Sequence, residues 1–229
     1  MAFDGLPKDF FAFLRELKAH NERPWFEANK QRFRDSVQAP MSEFIAAMAP
    51  RLAKISRNFT ADPRPNGGSM FRIYRDVRFA KDKRPYKEHA ACHFRHAAGK
   101  DVHAPGFYMH FAPGEVMFGG GMWMPPSDAL GRIREAIAKN PTAWKRVKTD
   151  KAFVRHFDDI DGDALTRPPH GFDPGHPFIA DIKRKSFFAL EEGDVKLATS
   201  PKLVETIAES FKAATPLMKF LCKAQGVPF

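Results

Sequence analysis

The sequence predicts an α+β protein, with a mainly antiparallel central sheet of about four or more strands flanked by N- and C-terminal helices. Three observations lead there. Apolar residues recur at helical spacing toward both ends of the chain. In the middle they alternate, with Gly/Pro turns between the runs. No βαβ alternation links the two patterns, so a parallel sheet is not expected. The chain has 229 residues, 43% of them hydrophobic and 23 of them Phe, which is ample material for a core. With no internal repeat, low-complexity tract or long linker, a single domain over 1–229 is expected.

The first helix runs from Pro7 to Lys18, with Phe10, Phe13, Leu14 and Leu17 on one face and Pro7 suited to the first turn. His20-Asn21-Glu22-Arg23 breaks it, and Pro24 opens a short helix through WFEANKQRF. A third helix spans Pro40 to Ile55, with Phe44, Met48, Leu52 and Ile55 on its stripe. TADPRPNGG, residues 60–68, ends the helical part. Strands are expected at Met70–Phe79, Glu88–Arg95, Gly106–Ala112 and Glu115–Met124, the last two as a hairpin over Pro113-Gly114. Helices resume at Ser127 and at Asn140-Pro141, where caps are expected. A Pro/Gly loop over 166–177, a short helix and the apolar stretch SFFAL follow. Ser200-Pro201 starts the C-terminal helix, with Leu203, Ile207 and Phe211 on its buried face, and Pro216 kinks or splits it.

The 37 basic and 27 acidic residues give a formal net charge of +10. That balance permits anionic partners such as nucleic acid, acidic headgroups or phosphorylated metabolites, and equally fits a solvated basic surface. Cys92 and Cys222 form no CxxC and no disulfide framework, so a reducing cytoplasm is the expected location. MAFDGLPKDFF lacks a signal pattern, and no apolar run approaches the ~20 residues of a membrane helix. No membrane partner is expected on that ground.

The most unusual stretch is FRIYRDVRFAKDKRPYKEH, residues 71–89. Read as a strand, it puts Phe71, Ile73, Val77 and Phe79 on an apolar face that Arg75 interrupts, and Arg72, Tyr74, Asp76 and Arg78 on the other. Cations two positions apart sit roughly 7 Å from each other and, at an effective dielectric of 20, repel by about 2.4 kcal/mol. Arg72, Arg75, Arg78, Lys81, Lys83, Arg84 and Lys87 exceed Asp76, Asp82 and Glu88 by four. The ribbon is therefore either an ion-pair network that pins it to the helices or a site for a bound anion. Arg75 needs a partner on the apolar face, with Asp76, Asp82 and Glu88 as the local carboxylates.

The same residues carry a likeness. RIYRDVRFAKDKRPYK, residues 72–87, resembles the signature of a conserved hypothetical family of bacteria and fungi, domain of unknown function 2461. The resemblance covers nearly the whole chain. It includes FxxFLxxLxxHNxxxWFxxNKxxF from Phe10 to Phe33, the hairpin GFYMHF…GGGMWMP, and RPPHGFDPGHP…KSF with Arg167, His176 and Lys185. It implies one domain and assigns no activity or catalytic residue.

Other patterns carry less. His89 and His93 share a strand face, but their Cα atoms are separated by ~13 Å, a poor pair for one metal. His110 lies on the same face as Tyr108 and remains open to cross-strand pairing with His89 or His93. Structural or surface histidines are the expectation, with no metal site and no cofactor implied. Gly119-Gly120-Gly121 is not a P-loop; it reads as a bent strand or a close backbone approach, or else as a pocket wall. Met122, Trp123 and Met124 read as core. DDIDGD, residues 158–163, lacks the order of a calcium loop and reads as an exposed acidic turn.

The expected function is binding of a small anionic ligand, phosphate-bearing or carboxylate, in a cationic, aromatic-lined pocket. Arg72, Arg75, Arg78, Lys83 and Lys87 would hold the anion, with Tyr86 and Trp25 as walls. Nucleic acid is a further candidate partner, through Tyr74, Phe79 and Tyr86 among the cations. Two alternatives stand beside it. One is an enzyme with His89, His93 or His110 as acid/base. The other is a protein-interaction module whose ribbon is purely structural.

Overall fold

The computed structural model describes residues 3–99 and 104–229. Helices precede the strands and return after them: α1 Lys8–Ala19, α2 Arg23–Ala28, α3 Lys30–Phe33, a π-helical turn Arg34–Gln38, and α4 Ala39–Ile55. The strands are β1 Ala90–Arg95, β2 Gly106–Ala112 and β3 Glu115–Met122. Then come α5 Ser127–Lys139, α6 Pro141–Lys148, α7 Lys151–Phe157, α8 Ile179–Ile182, β4 Phe187–Gly193, α9 Val195–Ala198, α10 Leu203–Ala213 and α11 Thr215–Ala224. The four strands form one antiparallel sheet in the order β1-β2-β3-β4. Helices therefore flank a mainly antiparallel sheet, as the sequence predicts.

Alternation sorts the strand residues into two faces. Cys92, Phe94, Phe107, Met109, Phe111, Val116, Phe118, Met122, Phe187 and Ala189 are buried on one face. Helices from both ends of the chain cover it. Phe10 of α1 and Phe44 of α4 meet Phe111 edge-on, at 5.8 and 5.5 Å between ring centroids. Phe211 of α10 stacks on Phe107 at 4.7 Å. The other face carries His93, Tyr108, His110, Gly119, Gly121, Phe188 and Leu190, as the strand registers require.

Two expectations change in detail, and one is met. Ser127 and Asn140 make no side-chain cap: Pro126 stands at the cap of α5, and Asn140 at that of α6 without a side-chain bond. Pro216 splits the C-terminal helix, which restarts as α11 after Ala214. The fourth strand of the sheet is Phe187–Gly193, which the sequence showed only as an apolar stretch.

Met70–Phe79 is not a regular strand. It runs antiparallel to residues 85–93 through the single bridges Met70–Cys92 and Tyr74–Tyr86. Phe71 N–H donates to Ala91 O, Arg75 N–H to Pro85 O, and Lys87 N–H to Ile73 O. The ladder fails for local reasons. Pro85 has no N–H to give. Asp76 and Asp82 accept the N–H groups of Arg78 and Arg84 on their side chains, which bends the backbone away from pairing. The result is an arm with its turn near residues 78–82. Asn21 holds the arm to the helices: its Nδ2 donates to Tyr86 O and its Oδ1 accepts from Tyr86 N–H, both at 3.0 Å.

Candidate functional site

The sheet face without helices forms the floor of a cleft of about 470 Å³. Gly106, Gly120, Gly121, His93 and Tyr108 come from β1–β3, and Phe188 and Leu190 from β4. Phe71, Lys87 and His89, at the root of the arm, form one wall, and Trp123, just after β3, another. The glycines explain the floor. Gly121 has φ +152°, and a Cβ there would overlap the backbone of Phe187 and Phe188. A Cβ at Gly106 would overlap the His93 ring. The glycine run thus serves both readings proposed for it: β4 approaches closely, and the cleft gains depth.

Lys87 sits half-buried. Its Nζ donates to Arg72 O at 2.8 Å and lies 5.2 Å from the centroid of the Phe71 ring. Burial lowers its pKa, and the nearby Arg72 lowers it further. Among the described residues it has no carboxylate within ion-pair distance. Beside it, the His89 and His110 rings lie 4.3 Å apart. Burial pushes His89 down to about 4, with His110 and Lys87 adding to the effect. His110 is lowered too, first by burial, while Glu115 opposes the shift. Both rings are therefore neutral near pH 7.

Tyr108 Oη lies 3.1 Å from His110 Nδ1, and His110 Nε2 lies 3.9 Å from Glu115 Oε2. A phenol donating to Nδ1 would leave the His110 proton on Nε2, which is buried and makes no hydrogen bond among the described residues. Burial raises Tyr108 to about 12, so it stays a protonated hydrogen-bonding group.

The sequence-derived residues divide. Lys87, His89 and His93 line the cleft, and His110 stands next to His89. Arg72, Arg75, Arg78, Lys83, Tyr86 and Trp25 lie outside its lining. Arg75 is not buried on an apolar face; its side chain is 28% exposed and pairs with Asp82 at 2.7 Å. That is one of the three local acids expected. Asp82 also accepts from Arg84, which in turn pairs with Glu88. Hydrogen bonds from the side chain and N–H of Arg84, then from Arg75, hold the Asp82 carboxyl well below its usual range. Arg78 pairs with Asp76 at 2.7 Å, which takes Asp76 to about 2. Lys83 donates to the carbonyls of Val77 and Arg78. These contacts favour the ion-pair network for most of the arm. Tyr86 is buried and stacks on Phe26 at 4.1 Å, and Trp25 packs between Phe13 and His20.

Sequence reasoning missed Phe71, Trp123, Phe188 and Leu190 as wall residues and used Tyr108 only as a neighbour of His110. Trp123 is 57% exposed, and Met124 56%, so neither is core as expected, while Met122 is. Among the described residues no three His, Cys, Asp or Glu side chains gather as a metal site.

No curated protein and no solved structure matches the chain. The family described as "Conserved hypothetical protein (DUF2461)" matches residues 9–220, nearly the full length. The chain belongs to that family.

Proposed function

We propose that the cleft binds a small anionic ligand, carboxylate or phosphate, through an apolar or aromatic body that rests between Phe71, Tyr108, Trp123 and Phe188. The observation that carries this reading is Lys87. It is a half-buried cation at the wall of an aromatic cleft, with a carbonyl and a ring for company and no carboxylate among the described residues. An anion brought to it would restore the ionic partner that burial makes valuable. The ligand site thus rests on one lysine of the arm rather than on Arg72, Arg75, Arg78 and Lys83. Tyr108 Oη, 3.1 Å from His110 Nδ1, keeps an oxygen lone pair available to a ligand hydroxyl or amide in either tautomer.

Titration of the protein with 1-naphthoate, followed by tryptophan fluorescence and calorimetry, tests it. Naphthoate is expected to bind, 1-naphthamide to bind at least about tenfold more weakly, and Lys87→Met to remove the difference between them. Anion binding raises the lowered pKa of Lys87, so affinity is expected to fall as pH rises through that pKa. Equal binding of acid and amide to the wild type would reject the anionic reading.

A second reading is an enzyme acting on such a ligand. The 3.1 Å contact of Tyr108 with His110 favours it, because it sets an imidazole and a phenol within hydrogen-bond reach of each other beside the cleft.

A further inference from the structure

The turn of the arm presents the most exposed of the large hydrophobic residues described: Phe79, at 94%. Its exposure is built. Asp76 accepts the N–H and the guanidinium of Arg78, and Asp82 does the same for Arg84 two residues beyond it. Lys83 Nζ reaches back to Val77 O at 3.0 Å and Arg78 O at 3.4 Å, closing the turn between the two clamps. A turn held at both ends and across its middle fixes Phe79 outward. The Arg78 guanidinium carbon lies 5.8 Å from the ring centroid, so charge sits directly beside the apolar tip.

We infer that this tip docks on the surface of a bilayer that contains acidic lipids. Phe79 enters the boundary between headgroups and acyl chains, and Arg78, Lys81 and Lys83 meet the headgroup phosphates. Charge complementarity points to an anionic surface, since around the turn Arg78, Lys81, Lys83 and Arg84 outnumber Asp76 and Asp82 by two, within a chain of net charge +10. Shape selects a bilayer over nucleic acid. Bases need a platform of several rings along a groove. Tyr86 is buried beneath Phe26, and the Tyr74 ring, 49% exposed, leans on Phe26 and Tyr86 away from the turn, so the two outward rings, Tyr74 and Phe79, do not line one groove. A single apolar wedge with a cationic rim needs no groove in a lipid surface. The expectation of no membrane partner rested on spanning helices, and no helix of the described residues is long and apolar enough to cross a membrane. A peripheral contact needs none. The tip lies outside the cleft lining, so this contact stands independently of the ligand reading.

Flotation with vesicles of phosphatidylcholine and phosphatidylglycerol in equal parts tests the inference. The wild type is expected to float with them, to stay behind with phosphatidylcholine alone, and to be released by high salt. Phe79→Ser is expected to weaken partitioning about tenfold with no change in melting temperature, and Lys81→Glu to weaken it as well. Equal partitioning onto neutral vesicles would overturn the proposal. So would a Phe79→Ser variant that floats like the wild type, or binding of oligothymidylate through Phe79 by a protein that ignores both vesicles.

Discussion

On one face of the sheet, Phe94, Phe107, Phe111 and Phe118 are at most 1% exposed beneath helices from both ends of the chain. One residue along the same strands, the other face offers His93, Tyr108 and His110, with Gly119 and Gly121 where side chains would otherwise stand. The first face is a filled interior whose rings meet edge-on or stacked. The second leaves a cleft where Tyr108 and His93 stand with Phe188 and the rings of Phe71 and Trp123, and burial keeps the adjoining His89 neutral and Tyr108 protonated. The comparison teaches that the packed core and the open cleft are separated here by a single step along a strand.

The separation can be broken from the filled side. Phe111→Ala removes a ring touched by Phe10 and Phe44, and a loss of about 3–5 kcal/mol in chemical denaturation is expected. A loss under about 1 kcal/mol would mean that the helices close over the gap. On the open side, Gly121→Ala forces a Cβ against the backbone of β4 at a positive φ, and about 1–3 kcal/mol should be lost. Naphthoate binding should fall with it, because β4 must move. Unchanged stability would show that β4 can retreat.

A smaller effect comes from His89. Its folded pKa of about 4 lies below the ordinary 6.5, so the unfolded chain takes up a proton that the folded chain refuses in between. Its stabilising contribution is full above pH 6.5 and is lost as pH falls to 4, by about 1–2 kcal/mol allowing for partial exposure. Melting curves across that range should show the decline, and His89→Gln should flatten part of it. An identical slope in the variant would assign the decline elsewhere. The smallest effect belongs to the arm. Arg75→Met removes a half-exposed pair, and Asp82 keeps Arg84, so less than about 1 kcal/mol should be lost. A drop of the size expected for a buried pair would show Arg75 to be more enclosed than its exposure indicates.

Helical periodicity made α1, α4 and the C-terminal helices legible, because each buries one stripe against the sheet. β1, β2 and β3 were legible from alternation and the Pro-Gly turns between two of them. β4 was not, because what makes Phe187–Gly193 a strand is pairing with β3, an earlier segment that no local pattern announces. The arm was misread for the opposite reason. Its alternation is real at Ile73, which is buried, yet alternation reports burial and not a hydrogen-bonded ladder. Asp76, Asp82 and Pro85 take that ladder apart. At the site, Lys87, His89 and His93 stood out by residue type. Trp123 and Phe188 did not, since apolar residues near strands read as core until the fold shows which face lacks helices.

Asn21 gives the arm a mechanical character. Its one amide group both donates to and accepts from the backbone of Tyr86, from the turn between α1 and α2. The root of the arm supplies Phe71 and Lys87 to the cleft, while its far end carries Phe79. A force on the far end would therefore be resisted at a fulcrum near Tyr86. The backbone on the cleft side of that fulcrum would feel a torque before the sheet itself deformed.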